Sequence, residues 1–318
     1  WIRFMLVCMV FVFPVSAMAE YEQEWGASLD MTSASINAGS NDGSASSYNL
    51  TGSFRLLFSP LKDNGQHLDL REFTQHPSYI YTQYSFGKDS CTSCYSISSS
   101  NLTLTSIGLG FMKYSDSYAK ATGFGLAYTA GYYSGTFEYI GVSETYRAQQ
   151  YTYQLTIEQY FSPSVKAYLK INEGEDSSTG SDLEEEGKST VIGVSGVFRD
   201  KYLFDVSRKS GTVSQRYITA IHSDIDLSSI TLEGGVFLSD KVALRGGWIS
   251  TLNEGLIFGD ALYSPMTTLY GVARYYVSKD FDITLSGAMR HSEEKYNSVL
   301  QAETDETVGM VSFAWRKR

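Results

Sequence analysis

Apolar and polar residues alternate along most of this chain. Trp25, Ala27, Leu29 and Met31 are apolar, while Gly26, Ser28, Asp30 and Thr32 between them are small or polar. The same rhythm runs through 48–58, 151–157, 165–171 and 281–289. Successive side chains of a β-strand point to opposite faces, so each run has one apolar and one largely polar surface. The pattern predicts strands over 23–36, 46–58, 78–88, 99–114, 123–137, 148–161, 165–173, 188–199, 201–211, 226–238, 242–253, 266–277, 281–291 and 305–315. That makes fourteen. The stretch 212–232 reads equally as a long loop, one overlong strand or an extra pair, so twelve or sixteen strands stay open.

A soluble β-sandwich also alternates, and three further features decide against it. The runs reach about ten residues, the length a tilted strand needs to cross a bilayer, whereas sandwich strands are nearer five or six. Short connections near 162–164, 199–201, 239–241 and 278–280 take turns with longer polar ones. Aromatics crowd the short turns, as Phe161, Phe198, Tyr202, Phe237, Tyr276 and Phe281. Amphipathic rings are favoured at a membrane–water interface, so these residues read as a girdle. Phe237 fits least well, because strict alternation turns it to the opposite face from Val236 and Leu238. The fold class expected is an all-β, transmembrane, antiparallel up-and-down β-barrel in the outer membrane of a Gram-negative cell.

The N-terminus agrees with export. Arg3, an apolar stretch over 5–15 and the small-x-small triplet Ala17-Met18-Ala19 read as a cleaved signal peptide, 1–19, with the cut between Ala19 and Glu20. Residues 20–318 are then the barrel. No later segment approaches 18 consecutive apolar residues, so no helical span is expected. The formal net charge of −10 argues against nucleic acid, which needs a basic face.

One segment is more specific, YNLTGSFRLLFSPLKDNGQHLDLREFTQHPSYIYTQYSF at 48–86. Its order of parts is a strand ending in Phe58 and Pro60, a polar insert over 62–67, Leu70-Arg71-Glu72-Phe73, then Gln75-His76-Pro77-Ser78 and the next strand. It resembles an early hairpin of the general bacterial porin family. This inner connection is longer than the other inner turns. The recurring aromatic–turn–strand phrases extend the resemblance over most of the mature chain. It implies passive diffusion of small hydrophilic solutes, assembly by the barrel-assembly machinery, contact with lipopolysaccharide, and a homotrimer, with no catalytic residue and no cofactor. Phe313 and Trp315 match the aromatic pair of a barrel's last strand, whereas Arg316-Lys317-Arg318 and the offset of Gly309 depart from it.

With the apolar faces in lipid, the opposite faces line a lumen. On this phase Arg55, Glu158, Lys166, Lys170, Glu233, Arg245, Asp282 and Arg290 point inward, as does Asp30, with Arg274 added from a strand whose two faces are both partly apolar. Charges around water are tolerated and set the field that a passing ion feels. Counted residue by residue the wall is slightly basic, which predicts a mild anion preference. The same charges also read as ion pairs bracing the barrel.

Cys91-Thr92-Ser93-Cys94 lies on the outer side, where a small disulfide in an oxidising compartment is expected. Zinc needs more ligands than are near, and no metal site is expected. Glu173, Glu175, Asp176, Asp182, Glu184, Glu185 and Glu186 read as a solvated outer loop. The tripeptides His222-Ser223-Asp224 and His291-Ser292-Glu293 hold triad residue types, yet adjacent side chains on a strand diverge. The function expected is therefore a porin and not an enzyme. The alternative is a non-conducting barrel serving as an adhesin or structural protein, followed by an outer-membrane hydrolase.

Overall fold

The computed structural model describes residues 23–38, 41–58, 68–94, 97–115, 121–139, 142–179, 183–217, 222–257, 260–278 and 280–317. The expected cleavage site at Ala19 and Glu20 lies outside them. Fourteen strands form one closed antiparallel barrel, each paired with its sequence neighbours. They are β1 (Gln23–Ala38), β2 (Asn41–Leu57), β3 (Tyr79–Cys94), β4 (Ile97–Tyr114), β5 (Thr122–Tyr139), β6 (Val142–Ser162), β7 (Val165–Thr179), β8 (Leu183–Phe198), β9 (Tyr202–Tyr217), β10 (His222–Ser239), β11 (Val242–Ile257), β12 (Asp260–Ser278), β13 (Phe281–Tyr296) and β14 (Val299–Lys317). The barrel closes where β1 pairs with β14, from Gln23↔Lys317 to Asn37↔Glu303. Closure satisfies every strand edge, which a bilayer interior demands.

The expected fourteen strands are all present, but most run further outward than the alternation. The described residues of 212–232 belong to the end of β9 and the start of β10, with no added pair among them. Much of the acidic run is strand, because Glu175↔Glu186 and Asp176↔Glu185 are paired in β7 and β8, while Asp182 lies outside the described residues. Lipid burial stops at the edge of the apolar belt, whereas backbone hydrogen bonding continues wherever a neighbouring strand is available. Ser-, Thr- and Glu-rich stretches therefore extend the ladder without showing apolar alternation. Lys188 eases the crowding of carboxylates there, at 3.2 Å from Glu173 and 2.6 Å from Glu186.

Large apolar side chains cover the outside: Met31, Leu50, Leu109, Ile192, Leu269 and Leu285 are all exposed. On a water-soluble protein such a belt would be an aggregation surface; around a closed barrel it is the lipid-facing band, roughly 25 Å tall. Trp25, Phe161, Phe198, Tyr202 and Trp315 border it on the side of the short turns and the termini, the periplasmic side.

Phe237 and Tyr276 do not belong to that girdle. Both face inward and are buried, at 7% and 4% exposure. At three short turns the register slips by one residue, between Tyr160 and Ser162, Phe237 and Ser239, and Tyr276 and Ser278. Each bulge leaves an extra residue, Phe161, Leu238 or Val277, pointing outward beside an inward ring. The paired aromatic and apolar residues thus serve two environments, lipid and lumen.

The long inner connection carries a helix, α1 (Leu68–Gln75), between β2 and β3. Asp69 in its first turn suits the helix dipole. His76, at φ 48°, takes the left-handed conformation that ends helices, and Pro77 cannot continue one. Eight residues are too few for a helix stable by itself. Its stability comes from where it lies, inside the barrel.

Candidate functional site: the lumen and its internal helix

The helix crosses the periplasmic end of the lumen and is held on opposite walls. Asp69, nearly buried, accepts hydrogen bonds from Arg245 Nη2 (2.9 Å), Arg274 Nη1 (2.5 Å) and Tyr276 Oη (2.8 Å). These residues lie on β11 and β12, far from the helix in sequence. On the near wall Glu72 accepts from Arg55 Nη2 at 2.6 Å. Phe73 packs edge-on to Tyr160 at 5.7 Å, under the Lys166 amine at 5.5 Å, and against the cluster of Val197, Phe237 and Ala243. His76 rests on Tyr160 with ring centroids 3.6 Å apart.

Charges on the wall join these anchors into one chain of alternating sign. Arg245 meets Asp69, Asp69 meets Arg274, Arg274 meets Asp282, and Asp282 meets Arg316. Arg316 then meets Glu24, Glu24 meets Arg55, and Arg55 ends on Glu72. The chain runs from Arg245 on β11 through Asp69 on α1, crosses the β14–β1 seam and returns to α1 at Glu72. Charges taken out of bulk water need partners, and here every guanidinium has two carboxylates or, at the end of the chain, one. Arg316, one of the residues that depart from the terminal-strand pattern, bridges the seam between Asp282 and Glu24.

A second set of contacts runs around the other half of the wall. Glu158 accepts from Lys166 Nζ at 2.8 Å and from Tyr114 Oη at 2.6 Å. Tyr168 Oη donates to Asp205 at 2.9 Å and Tyr270 Oη to Glu233 at 2.5 Å. Each of these three tyrosines lies flat over a glycine. A methyl group added at Gly123 would come 2.5 Å from the Tyr114 ring, and one at Gly247 would come 2.5 Å from Tyr270 Oη. Gly193 is overlain by Tyr168 in the same way. A glycine inside a strand marks such a close approach. Gly123→Ala and Gly247→Ala are each expected to lower the unfolding free energy by about 1–3 kcal/mol. Gly52→Ala, where nothing lies within 4 Å of the new methyl, should change it little. Denaturant unfolding from lipid vesicles measures the difference.

Beside α1 the wall lines an open cavity of about 560 Å³, with Phe73 among the lining residues. Lys166, Lys170, Glu233 and Arg245 line it, as do Ser195 and Asp205. Further toward the outside, Arg290 donates to Glu306 at 2.7 Å. The inward phase there also carries Asp30, Asp89, Asp176 and Glu185, opposed by Lys209. Of the nine residues expected on the lumen wall, the structure gathers Arg55, Arg245, Arg274 and Asp282 on the helix network. Lys166, Lys170 and Glu233 line the cavity together with Arg245. Glu158 pairs beside these, and Arg290 stands apart. Cys91 is disulfide-bonded near the outer end of β3, and the side chain of Cys94 lies outside the described residues. His291 sits beside Asp305 at 2.8 Å on the barrel's exposed outer part. The side chain of His222 lies outside the described residues.

Alternation alone did not find Asp69, Glu72 and Phe73, since they lie in a connection. The length of that connection was the available signal. Glycines set in register with tyrosines were the signal for Tyr114, Tyr168 and Tyr270.

No family model and no curated protein matches the chain. Solved structures do. The deltaS2 mutant of the TodX monoaromatic hydrocarbon channel aligns over 95% of this chain and 91% of its own, at 12% identity and a TM-score of 0.58. A Pseudomonas aeruginosa FadL homologue aligns over 94% and 90%, at 6% identity and 0.58. The Pseudomonas putida toluene transporter TodX aligns over 95% and 91%, at 13% identity and 0.51. At such identities the likeness is one of fold. A closed fourteen-strand barrel with an apolar exterior and a charged interior defines the class: an outer-membrane β-barrel of the Gram-negative envelope. Within that class it is a barrel with an internal periplasmic helix.

Proposed function

We propose that this barrel is a channel for small hydrophilic solutes and ions, narrowed at its periplasmic end by α1. The observation that carries this reading is the charged character of the lumen wall. Lys166, Lys170, Asp205, Glu233 and Arg245 share one cavity, and a path lined by charges suits water and polar solutes. TodX is named for toluene and monoaromatic hydrocarbons. A hydrocarbon in this cavity would displace water from those charges without replacing its hydrogen bonds, at a cost of several kcal/mol. The polar wall therefore favours hydrophilic cargo, the solute class that the sequence resemblance implied.

Pairing changes the expected selectivity. The basic residues that tilted the count toward anions are largely neutralised: Lys166 by Glu158, Arg290 by Glu306, and Arg245, Arg274, Arg316 and Arg55 together by Asp69, Asp282, Glu24 and Glu72. Asp205 and Glu233, with Asp30, Asp89, Asp176 and Glu185 above them, outnumber Lys170 and Lys209. The channel is expected to prefer cations weakly, more so in dilute salt, where screening is weaker. In a planar bilayer with a potassium chloride gradient, the reversal potential should carry the sign of cation flux. Folded barrels that never show stepwise conductance would overturn the channel reading.

A further inference from the structure

We propose that Ser195, Asp205 and Glu233 form a docking site in the lumen for a small primary ammonium ion, an inference that rests on the channel reading above. The three are register partners across β8, β9 and β10 and line the same cavity. Side chains directly opposite on one face of an antiparallel pair stand about 4.5–5.5 Å apart at Cβ, where like charges repel. Asp205 and Glu233 occupy such a pair. Each accepts a hydrogen bond from a tyrosine, Tyr168 or Tyr270, and neither has a cation at ion-pair distance among the described residues. The nearby cations are committed elsewhere, Lys166 to Glu158 and Arg245 to Asp69.

Ser195 adds an independent sign of a missing guest. It is 5% exposed, lines the cavity, and its Oγ has no hydrogen-bond partner among the described residues. A buried hydroxyl left in that state costs free energy. The two carboxylates and the hydroxyl together offer three acceptors, which match the three N–H donors of a primary ammonium group. Charge sets the valence. Lys170, whose amine lies over the Tyr168 ring at 5.2 Å, is also without a carboxylate at ion-pair distance among the described residues. Two negative charges and one positive leave a single negative charge, which one monovalent cation neutralises. Leu203, Val191 and Phe73 on the cavity wall provide apolar surface for a short alkyl tail.

The test uses the full barrel reconstituted in a planar bilayer, with n-butylamine at neutral pH as the probe. Butylammonium should reduce the potassium current in a saturable way, at a concentration at least tenfold below that needed by tetramethylammonium. That ion has the same charge and no N–H donors. 1-Butanol should have no effect. Asp205→Asn combined with Glu233→Gln should raise the half-blocking concentration at least tenfold, and Asp226→Asn, on the outer face, should leave it alone. Glu233→Gln by itself provides a second, milder variant if the double substitution fails to fold. Equal block by both cations, or block unchanged in the variants, would overturn the site while leaving the channel standing. If no current flows, calorimetric titration of butylamine into the detergent-folded barrel separates the two ideas. Saturable heat that is lost in the variants supports the site without the channel, and no heat overturns it.

Discussion

Replacing Leu68–Gln75 with eight glycine and serine residues is expected to raise the single-channel conductance several-fold. The reason is geometric. The helix spans the periplasmic mouth from Arg55 on β2 to Arg245 and Arg274 on β11 and β12. Phe73 fills the space between Tyr160 and the cluster of Val197, Phe237 and Ala243. A flexible glycine–serine segment offers none of these anchors and pays full conformational entropy if it stays inside. Asp69→Ala should move conductance in the same direction by a smaller factor. It leaves Arg245 without its carboxylate and Arg274 with only Asp282, while Glu72 still holds the other end of the helix. Stepwise currents recorded before and after substitution are the measurement. Unchanged conductance from folded barrels would show that α1 does not set the narrowest section.

The second large effect is expected at Asp282. Its side chain is almost fully buried and accepts hydrogen bonds from Arg274 Nε (2.8 Å), Arg274 Nη2 (3.0 Å) and Arg316 Nη1 (2.7 Å). Asp282→Ala therefore leaves two guanidiniums facing each other with one carboxylate fewer. Breaking a buried charge pair from one side costs about 3–5 kcal/mol. Here Arg274 keeps Asp69 and Arg316 keeps Glu24, which places the loss near the lower end of that range. Urea-induced unfolding from vesicles reads it directly. A matching loss in Asp282→Ala/Arg316→Ala, with no further penalty for the second change, would show that the two act as one unit. A loss below about 1 kcal/mol would mean that water already enters and solvates the pair.

These two sites differ in how far the sequence reveals them. Asp282 lies opposite Phe281 and Ile283 in a plain alternating run, so its inward direction follows from strand geometry. Asp69 lies in a connection, and nothing in the local order Leu-Asp-Leu-Arg-Glu-Phe states which surface it meets. Its partners Arg245, Arg274 and Tyr276 are brought beside it only when the sheet closes. The ladder beyond the belt was illegible for a different reason. In Glu173–Glu186 polar residues occupy both faces, because neither face meets lipid, and the period-two signal disappears although the hydrogen bonds do not.

Phe237 shows the same division within one residue. Strict alternation turns it inward, its place beside a short turn suggests the girdle, and the sequence holds both readings at once. The bulge after it keeps Phe237 in the lumen and sends Leu238 to lipid. Alternation by itself determined the strand pattern and the two chemical faces, since a bilayer outside and water inside impose opposite demands on neighbouring positions, but it left twelve, fourteen or sixteen strands open until the barrel closed. Only the closed barrel decided which charges pair, that the long periplasmic connection fills the mouth, and that Asp205 and Glu233 face the lumen with no cation at ion-pair distance among the described residues. Those outcomes depend on distances across the barrel, which strand periodicity does not encode.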